Sequence, residues 1–306
     1  MLRFLPAPVR GVIALMLYTL NTLGCFITMF PFILVKAIIP LDRVRLFFTK
    51  VLMVLGMAWI NINSLILMMT QKIEWDVKGL SGLDPKTSYL VISNHRSWAD
   101  ILVLQHLFKH RIPFLKFFLK KELIWVPFLG VAWWALEFPF MKRYPREFIQ
   151  KHPELKGKDI ETTRKYCEKF KKSPISVINF LEGTRFDESK RHKQESPYQH
   201  LLLPKAGGAA IVLSAMGDCL DQIIDVTIVY PENETAPSFW EFLKGEIPRV
   251  AVRIRCLSIP EEFIGRNYEQ DKAFQEAFKQ WVNALWQEKD QTIAGVLKQY
   301  GKIEYK

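Results

Sequence analysis

Residues 88–110 read SYLVISNHRSWADILVLQHLFKH, and this one stretch decides the fold class. SYLVIS (88–93) is a short unbroken apolar run of the kind a strand buried on both faces requires. WADILVLQHLFKH (98–110) places Ile101, Leu104, Leu107 and Phe108 at helical spacing, which predicts a helix with one apolar stripe. The polar segment NHRSWAD (94–100) joins them, so a strand runs through a turn into a helix.

The same alternation continues outward. Ile73, Trp75 and Val77 alternate before a turn marked by Gly79, Gly82, Asp84 and Pro85. ISVINF (175–180), IIDVTIVY (223–230) and RVAVRIRC (249–256) are further predicted strands, and helices are expected over 159–171, 207–217 and 270–299. In the last, Phe274, Phe278, Trp281 and Leu285 share one face. Strands interleaved with helices predict an α/β domain, a helix-covered mixed sheet, over residues 73–306.

Residues 1–72 differ. A 25-residue run without charge separates Arg10 from Lys36, and a 21-residue run separates Lys50 from Lys72. Either matches the roughly 20 helical residues needed to cross a hydrocarbon core, so a membrane-embedded helical hairpin is expected over 1–72. The apolar run is too long for a signal peptide, and no small-residue cleavage site follows it. The connecting loop carries Lys36, Arg43, Arg45 and Lys50 against Asp42, a charge that a translocated loop avoids. Asn61, Asn63 and Ser64 lie midway along the second run, where full exposure to lipid is costly. These two conflicts predict that at least one helix is re-entrant or interfacial.

The formal net charge is +11, from 42 Lys and Arg against 31 Asp and Glu. It is concentrated: residues 1–72 carry seven basic groups and one acidic, residues 142–172 eleven and five. Two basic segments, one bracketing the apolar runs, suit an anionic bilayer surface. No RNP, zinc-finger or similar signature accompanies them, so no nucleic-acid partner is expected. Cys25, Cys167, Cys219 and Cys256 are widely spaced, with no CxxC pair. They predict small buried hydrophobes in a reducing compartment, with no metal site.

Four segments carry candidate chemistry. In NHRSWAD, His95 is a candidate general base with Asp100 fixing its tautomer. The competing reading makes Ser97-x-x-Asp100 a capping box that only starts the helix. In FLEGTRF (180–186), Gly183 permits a tight turn and Arg185 offers a planar fork of donors to a phosphate. The alternative is a structural Glu182–Arg185 ion pair. In LLLPKAGGAA (201–210), Lys205 precedes two glycines that open an apolar helix, a place able to receive an anion or simply a loop entering a helix. KKELIWVPFLG (120–130) and WWALEFPFMKRY (133–144) are dense in Trp, Phe and Pro, as suits core packing, an apolar channel or a membrane-facing surface. Lys142 and Arg143 close that stretch. No G-x-S-x-G, G-x-G-x-x-G or P-loop signature is present.

In this order, over residues 75 to 231, the segments resemble the glycerolipid acyltransferases that include the 1-acylglycerol-3-phosphate acyltransferases. NHRSWAD is similar to that family's N-H-x4-D block and FLEGTRF to its F-P-E-G-T-R block, with Leu181 in place of the proline. LLLPKAGG and DVTIVYP (225–231) are similar to later blocks. The extended motifs look closest to a bacterial membrane branch similar to the eukaryotic lysophosphatidic and lysocardiolipin acyltransferases.

The resemblance implies an α/β domain of the glycerol-3-phosphate acyltransferase type, preceded by a two-helix membrane motif. It implies that His95 deprotonates the free hydroxyl of a lysophospholipid, most simply 1-acylglycerol-3-phosphate, while Asp100 holds His95. Glu182, Gly183, Thr184 and Arg185 would bind the glycerol phosphate, with Arg143 and Lys205 as weaker members. The implied partners are membrane phospholipids, the lysophospholipid acceptor and acyl-CoA or acyl carrier protein. The thioester is a co-substrate, and no cofactor or metal is implied. The implied location is the bacterial inner membrane, with the catalytic domain on the cytoplasmic side. A non-catalytic membrane adaptor binding anionic lipid would keep the basic segments but has no use for His95 and Asp100 together.

Overall fold

The computed structural model describes residues 2–141, 174–233, 235–266, 268 and 270–301. The basic stretch 142–172, the predicted helix 159–171, Arg143 and Cys167 lie outside the described residues.

In chain order the described helices and strands are α1 (Ala7–Ile38), α2 (Asp42–Thr70), β1 (Glu74–Lys78), β2 (Tyr89–Ser93), α3 (Ala99–Phe108), β3 (Leu115–Phe117), β4 (Leu119–Lys120), α4 (Leu129–Ala135) and β5 (Phe140–Met141). They continue as β6 (Ser176–Phe180), α5 (Glu188–Lys193), α6 (Ala206–Met216), β7 (Gln222–Val229), α7 (Phe239–Lys244), β8 (Arg249–Ser258) and α8 (Lys272–Gln299). Six strands form one sheet in the order β1-β8-β7-β2-β6-β3, and β4 pairs separately with β5. β7, β2, β6 and β3 run parallel, while β8 is antiparallel to β7 and carries β1 parallel to itself. The sheet is therefore mixed, as expected.

β2 lies at the centre and all five of its residues are buried. Successive side chains leave a strand on opposite faces, and the core divides accordingly. Leu90 and Ile92 join a cluster with Leu213 of α6 and Phe274, Phe278 and Trp286 of α8. Tyr89 and Val91 join a second cluster with Val103, Leu104 and Phe108 of α3 and Phe242 of α7. Helices thus cover both faces. On the α8 side, Asp225 of β7 is buried and receives Lys289 Nζ at 2.5 Å and Arg255 Nη2 at 2.7 Å. That pair ties α8 to the sheet through charges that neither element could bury alone.

The second cluster also contains Ala14 and Tyr18 of α1 and Ile66 and Leu67 of α2. The apolar core therefore continues across residue 72. Arg10 Nε donates to the Lys244 carbonyl of α7 at 2.7 Å. Its guanidinium lies against Gly245, whose φ of +73° and lack of a Cβ leave room for it. At the other end of α1, Lys36 Nζ donates to Thr49 Oγ1 at 2.7 Å, the Ala135 carbonyl at 2.8 Å and Glu137 Oε1 at 3.1 Å.

The polar residues within α2 find partners in the protein. Asn21 Nδ2 donates to Asn63 Oδ1 at 2.8 Å, Lys109 Nζ to Ser64 Oγ at 2.6 Å, and Asn61 Oδ1 meets His110 Nε2 at 2.9 Å. These side chains face α1 and the α3 region, which lowers the cost of placing them in lipid, although the buried Asn63 Nδ2 has no hydrogen-bond partner among the described residues. The cysteines depart from expectation. Cys25 and Cys219 are half-buried, and Cys256 is exposed near the end of β8, where its neighbour Leu257 packs against the core instead.

Candidate active site

β2, β6 and β7 are adjacent and parallel, and the chain leaving their carboxyl ends builds the site. Such strand ends are where open α/β sheets gather ligands. Asn94 prolongs the ladder beyond β2. Its Nδ2 donates to the Ile228 carbonyl at 2.9 Å, and its Oδ1 accepts the Ile228 N–H at 2.8 Å. The side chain thus behaves as one more strand residue and sets the departure angle of His95.

His95 Nδ1 lies 2.8 Å from Asp100 Oδ2. The carboxylate only accepts, so Nδ1 carries the proton and Nε2 is left as the basic nitrogen. The ring stacks on Phe180, with centroids 4.1 Å apart and 17° between planes. Asp100 is 0% exposed. Its Oδ2 also accepts the N–H groups of Arg96 at 2.7 Å and Ser97 at 2.9 Å, and its Oδ1 accepts the Tyr230 hydroxyl at 2.6 Å. Burial and the adjacent Asp100 push the Tyr230 phenol well above its ordinary value, so it stays a donor.

The two readings of NHRSWAD therefore merge. The Ser97 N–H to Asp100 contact is one half of a capping box. The other half is missing, because Ser97 Oγ accepts from the Ala99 N–H and donates to the Pro237 carbonyl. Asp100 braces the turn and orients His95 with the same carboxylate.

Glu182 takes a different place from the one expected of a phosphate-binding residue. It is 0% exposed, and its oxygens accept the N–H groups of His95 at 2.9 Å and Leu202 at 3.0 Å. The expected alternative, an ion pair with Arg185, is not formed either. A fully enclosed carboxylate tied to two backbone segments holds the His95 loop and has no face left for a ligand. Burial pushes it up to about 7 against those two donors and the nearby Arg96 guanidinium.

The consequence for stability has a definite sign. Between the ordinary carboxylate range and pH 7 the folded chain binds more protons at Glu182 than the unfolded chain. Stability then falls as pH rises through that window, by on the order of 3 kcal/mol from this group alone. Urea melts of wild type and Glu182→Gln across pH 5–8 check this: the wild-type midpoint should decline more steeply than that of the variant. Parallel declines would remove Glu182 as the cause.

The remaining predicted residues among those described surround the mouth. Gly183 has φ +67°, and a Cβ there would come within 3.1 Å of Lys205 Cδ and 3.3 Å of its Nζ. The lysine therefore lies across the glycine. Arg185 is exposed, with its guanidinium 4.9 Å from the Trp98 ring centroid. Lys205 is exposed at the start of α6. The structure thus brings together His95, Asp100, Glu182, Gly183, Thr184, Arg185 and Lys205.

Three further residues belong to the arrangement. Tyr230 ends the strand run 223–230, whose alignment beside β2 the sequence does not state. Lys190 Nζ reaches Thr184 Oγ1 at 3.2 Å and the Arg185 carbonyl at 3.0 Å, through the turn made by α5. Arg96 packs on Phe186 at 4.3 Å and donates to the His200 carbonyl at 3.1 Å. Among the described residues no cluster of His, Cys, Asp and Glu suits a metal ion.

A half-buried His95 held by a buried Asp100 at the ends of parallel strands, with Arg185 and Lys205 exposed at the same mouth, is an arrangement able to activate a hydroxyl for group transfer. A family model described as Acyltransferase matches residues 74–231, just over half of the chain, and the chain belongs to that acyltransferase family. It is similar to 1-acyl-sn-glycerol-3-phosphate acyltransferase delta of Mus musculus, 29% identical over 216 residues, covering 67% of this chain and 52% of that protein. The Homo sapiens protein of the same name is 28% identical over the same shares. 1-acyl-sn-glycerol-3-phosphate acyltransferase 2 of Arabidopsis thaliana is 27% identical over 188 residues, covering 58% of this chain and 46% of that protein. The chain spans about half the length of these curated relatives. Among solved structures, the 1-acyl-sn-glycerophosphate acyltransferase PlsC of Thermotoga maritima matches with a TM-score of 0.48 and 16% identity, over 90% of this chain and 97% of that one.

Proposed function

We propose that the protein transfers a fatty acyl group from a thioester, acyl-CoA or acyl carrier protein, to the free hydroxyl of a lysophospholipid, with 1-acylglycerol-3-phosphate as acceptor and phosphatidic acid as product. The observation that carries this reading is the His95 Nδ1–Asp100 contact of 2.8 Å, which leaves Nε2 as base beside the exposed cations Arg185 and Lys205. Nε2 takes the hydroxyl proton, and the oxygen attacks the thioester carbonyl. The tetrahedral intermediate then breaks its C–S bond, and the departing sulfur regains the proton from His95. Asp100 stabilises the imidazolium between the two transfers.

Arg185, Lys190, Lys205 and the Gly183–Thr184 turn receive the acceptor's phosphate, and Glu182 positions the loop that carries His95. A His–Asp pair so fixed is what an adaptor would not need. Purified protein in detergent, given labelled acyl-CoA or acyl carrier protein with lysophosphatidate, lysocardiolipin or lysophosphatidylglycerol, should make diacyl product, with lysophosphatidate preferred. No transfer to any acceptor from either donor would favour the lipid-binding adaptor. Arg185→Ala should raise the acceptor KM about ten- to a hundredfold, the worth of one charge-assisted hydrogen bond, with a smaller change in kcat. An unchanged KM would remove Arg185 from the phosphate subsite.

The geometry of α1 supports a one-sided membrane seat. Arg10 and Lys36 both contact the α/β domain, and they stand about 39 Å apart at 1.5 Å per residue. That exceeds the roughly 30 Å hydrocarbon core. A helix held at both ends by one domain lies along its side, so the hairpin enters the bilayer from one face. Exposed Leu20, Ile27 and Val54 on the hairpin, and Trp125 on the domain, form the lipid-facing side. The basic loop then needs no translocation, in keeping with a cytoplasmic site on a bacterial inner membrane.

A further inference from the structure

Where α1 turns into α2, a cleft of about 390 Å³ opens between the hairpin tip and the segment after α4. Its charged lining is Lys36, Arg43, Arg45, Asp42 and Glu137, none of which belongs to the His95 site. Its volume falls in the range of small-ligand clefts. Three positive and two negative side chains line it, a net of +1.

Those charges are not equally engaged. Lys36 is buried and already bound to Glu137, and the other acidic group in the lining is Asp42 beside Arg43 and Arg45. Arg43 is exposed and has no ion pair among the described residues; Arg45 uses its Nε on the Ile39 carbonyl at 3.2 Å. Trp134 and Leu46 give the same cleft an exposed apolar wall. At the same hairpin tip Ile38 is 75% exposed, Leu41 61% and Phe47 60%. Apolar side chains so bare belong in lipid, and they set the cleft at the level of the head groups.

We infer that this cleft holds the phosphodiester of one singly anionic phospholipid, with Arg43 and Arg45 on its phosphate oxygens and its upper chain along Leu46 and Trp134. One negative charge cancels the excess of +1, and arginine's planar fork matches a phosphate better than lysine does. The bound lipid pins the hairpin tip at the surface and so fixes how the catalytic mouth faces the bilayer. The inference rests on the hairpin lying in one face of the membrane, and it is independent of the chemistry at His95.

Native mass spectrometry of the full chain, extracted from vesicles of phosphatidylglycerol and phosphatidylcholine, tests it. Wild type and His95→Ala should each retain one phosphatidylglycerol. The double variant Arg43→Gln/Arg45→Gln should retain it on the order of thirty-fold less well, as the loss of two cations at head-group level implies. Arg43→Lys/Arg45→Lys should keep part of the retention, which separates lost charge from misfolding. Glycerol 3-phosphate added at millimolar concentration should not displace the lipid. Equal retention of phosphatidylcholine, full retention by the glutamine variant, or displacement by the free phosphate would overturn the assignment.

Discussion

Replacing His95 with alanine should lower kcat/KM for acyl transfer by about 10² to 10⁴-fold, the usual worth of a positioned general base, while the protein stays folded. The fold should survive because the loop is held through the backbone: the His95 N–H donates to Glu182 at 2.9 Å and its carbonyl accepts the Phe186 N–H at 2.7 Å. Neither contact involves the ring. The loss of stacking on Phe180 costs about 1 kcal/mol, a small shift in Tm. Steady-state kinetics with lysophosphatidate, alongside a thermal melt, separates the outcomes. Turnover near wild type in the variant would refute His95 as the base, whatever its effect on Tm.

Asp100→Asn should be nearly as damaging to rate, and it distinguishes the two duties of this carboxylate. An asparagine oxygen can occupy the Oδ2 position and still accept from His95, Arg96 and Ser97. Its amide nitrogen then faces the Tyr230 hydroxyl, which rotates to accept. Backbone bracing therefore persists, with a stability loss of about 1 kcal/mol for a weakened hydrogen bond. The negative charge that stabilises the imidazolium is gone, so kcat should fall about 10² to 10⁴-fold. A variant that loses several degrees of Tm but keeps its rate would make Asp100 a helix brace alone. Tyr230→Phe should show an intermediate fall in rate, since it removes one of the four donors to that carboxylate.

The parts of this fold that a reader of the sequence can see are those whose burial is uniform. β2 is buried on both faces, so its residues form an unbroken apolar run, and β7 and β8 read nearly as clearly. β3 does not, because Lys116 sits within its three residues, buried, with Nζ near the Glu137 carbonyl. α5 has no apolar residue to set a period. α7 carries a legible start signal, for Ser238 and Glu241 form a reciprocal capping box.

At the site, the proposed catalytic pair is legible because both members fall within one turn. Tyr230 and Lys190 are not, since their positions depend on which strands lie side by side and on how α5 folds back. Glu182 is visible in the sequence but its duty is not. Whether a carboxylate meets a ligand or two backbone amides depends on its enclosure by Leu202 and the loop that follows α5. The hairpin was visible as apolar runs, and the polar residues within α2 hinted at protein contact on one side without naming α1 and α3 as its source.

The shared core of hairpin and sheet bears on how the chain comes to be active. Tyr18 and Leu67 close the same apolar cluster as Val91 and Phe108, so the α3 face of the sheet remains open until α1 and α2 are laid on it. The change in composition at residue 72 is therefore not a boundary of the core. Closing the apolar core beneath the His95 loop and docking the hairpin are coupled: a chain whose α1 and α2 are displaced leaves Val91 and Phe108 less covered.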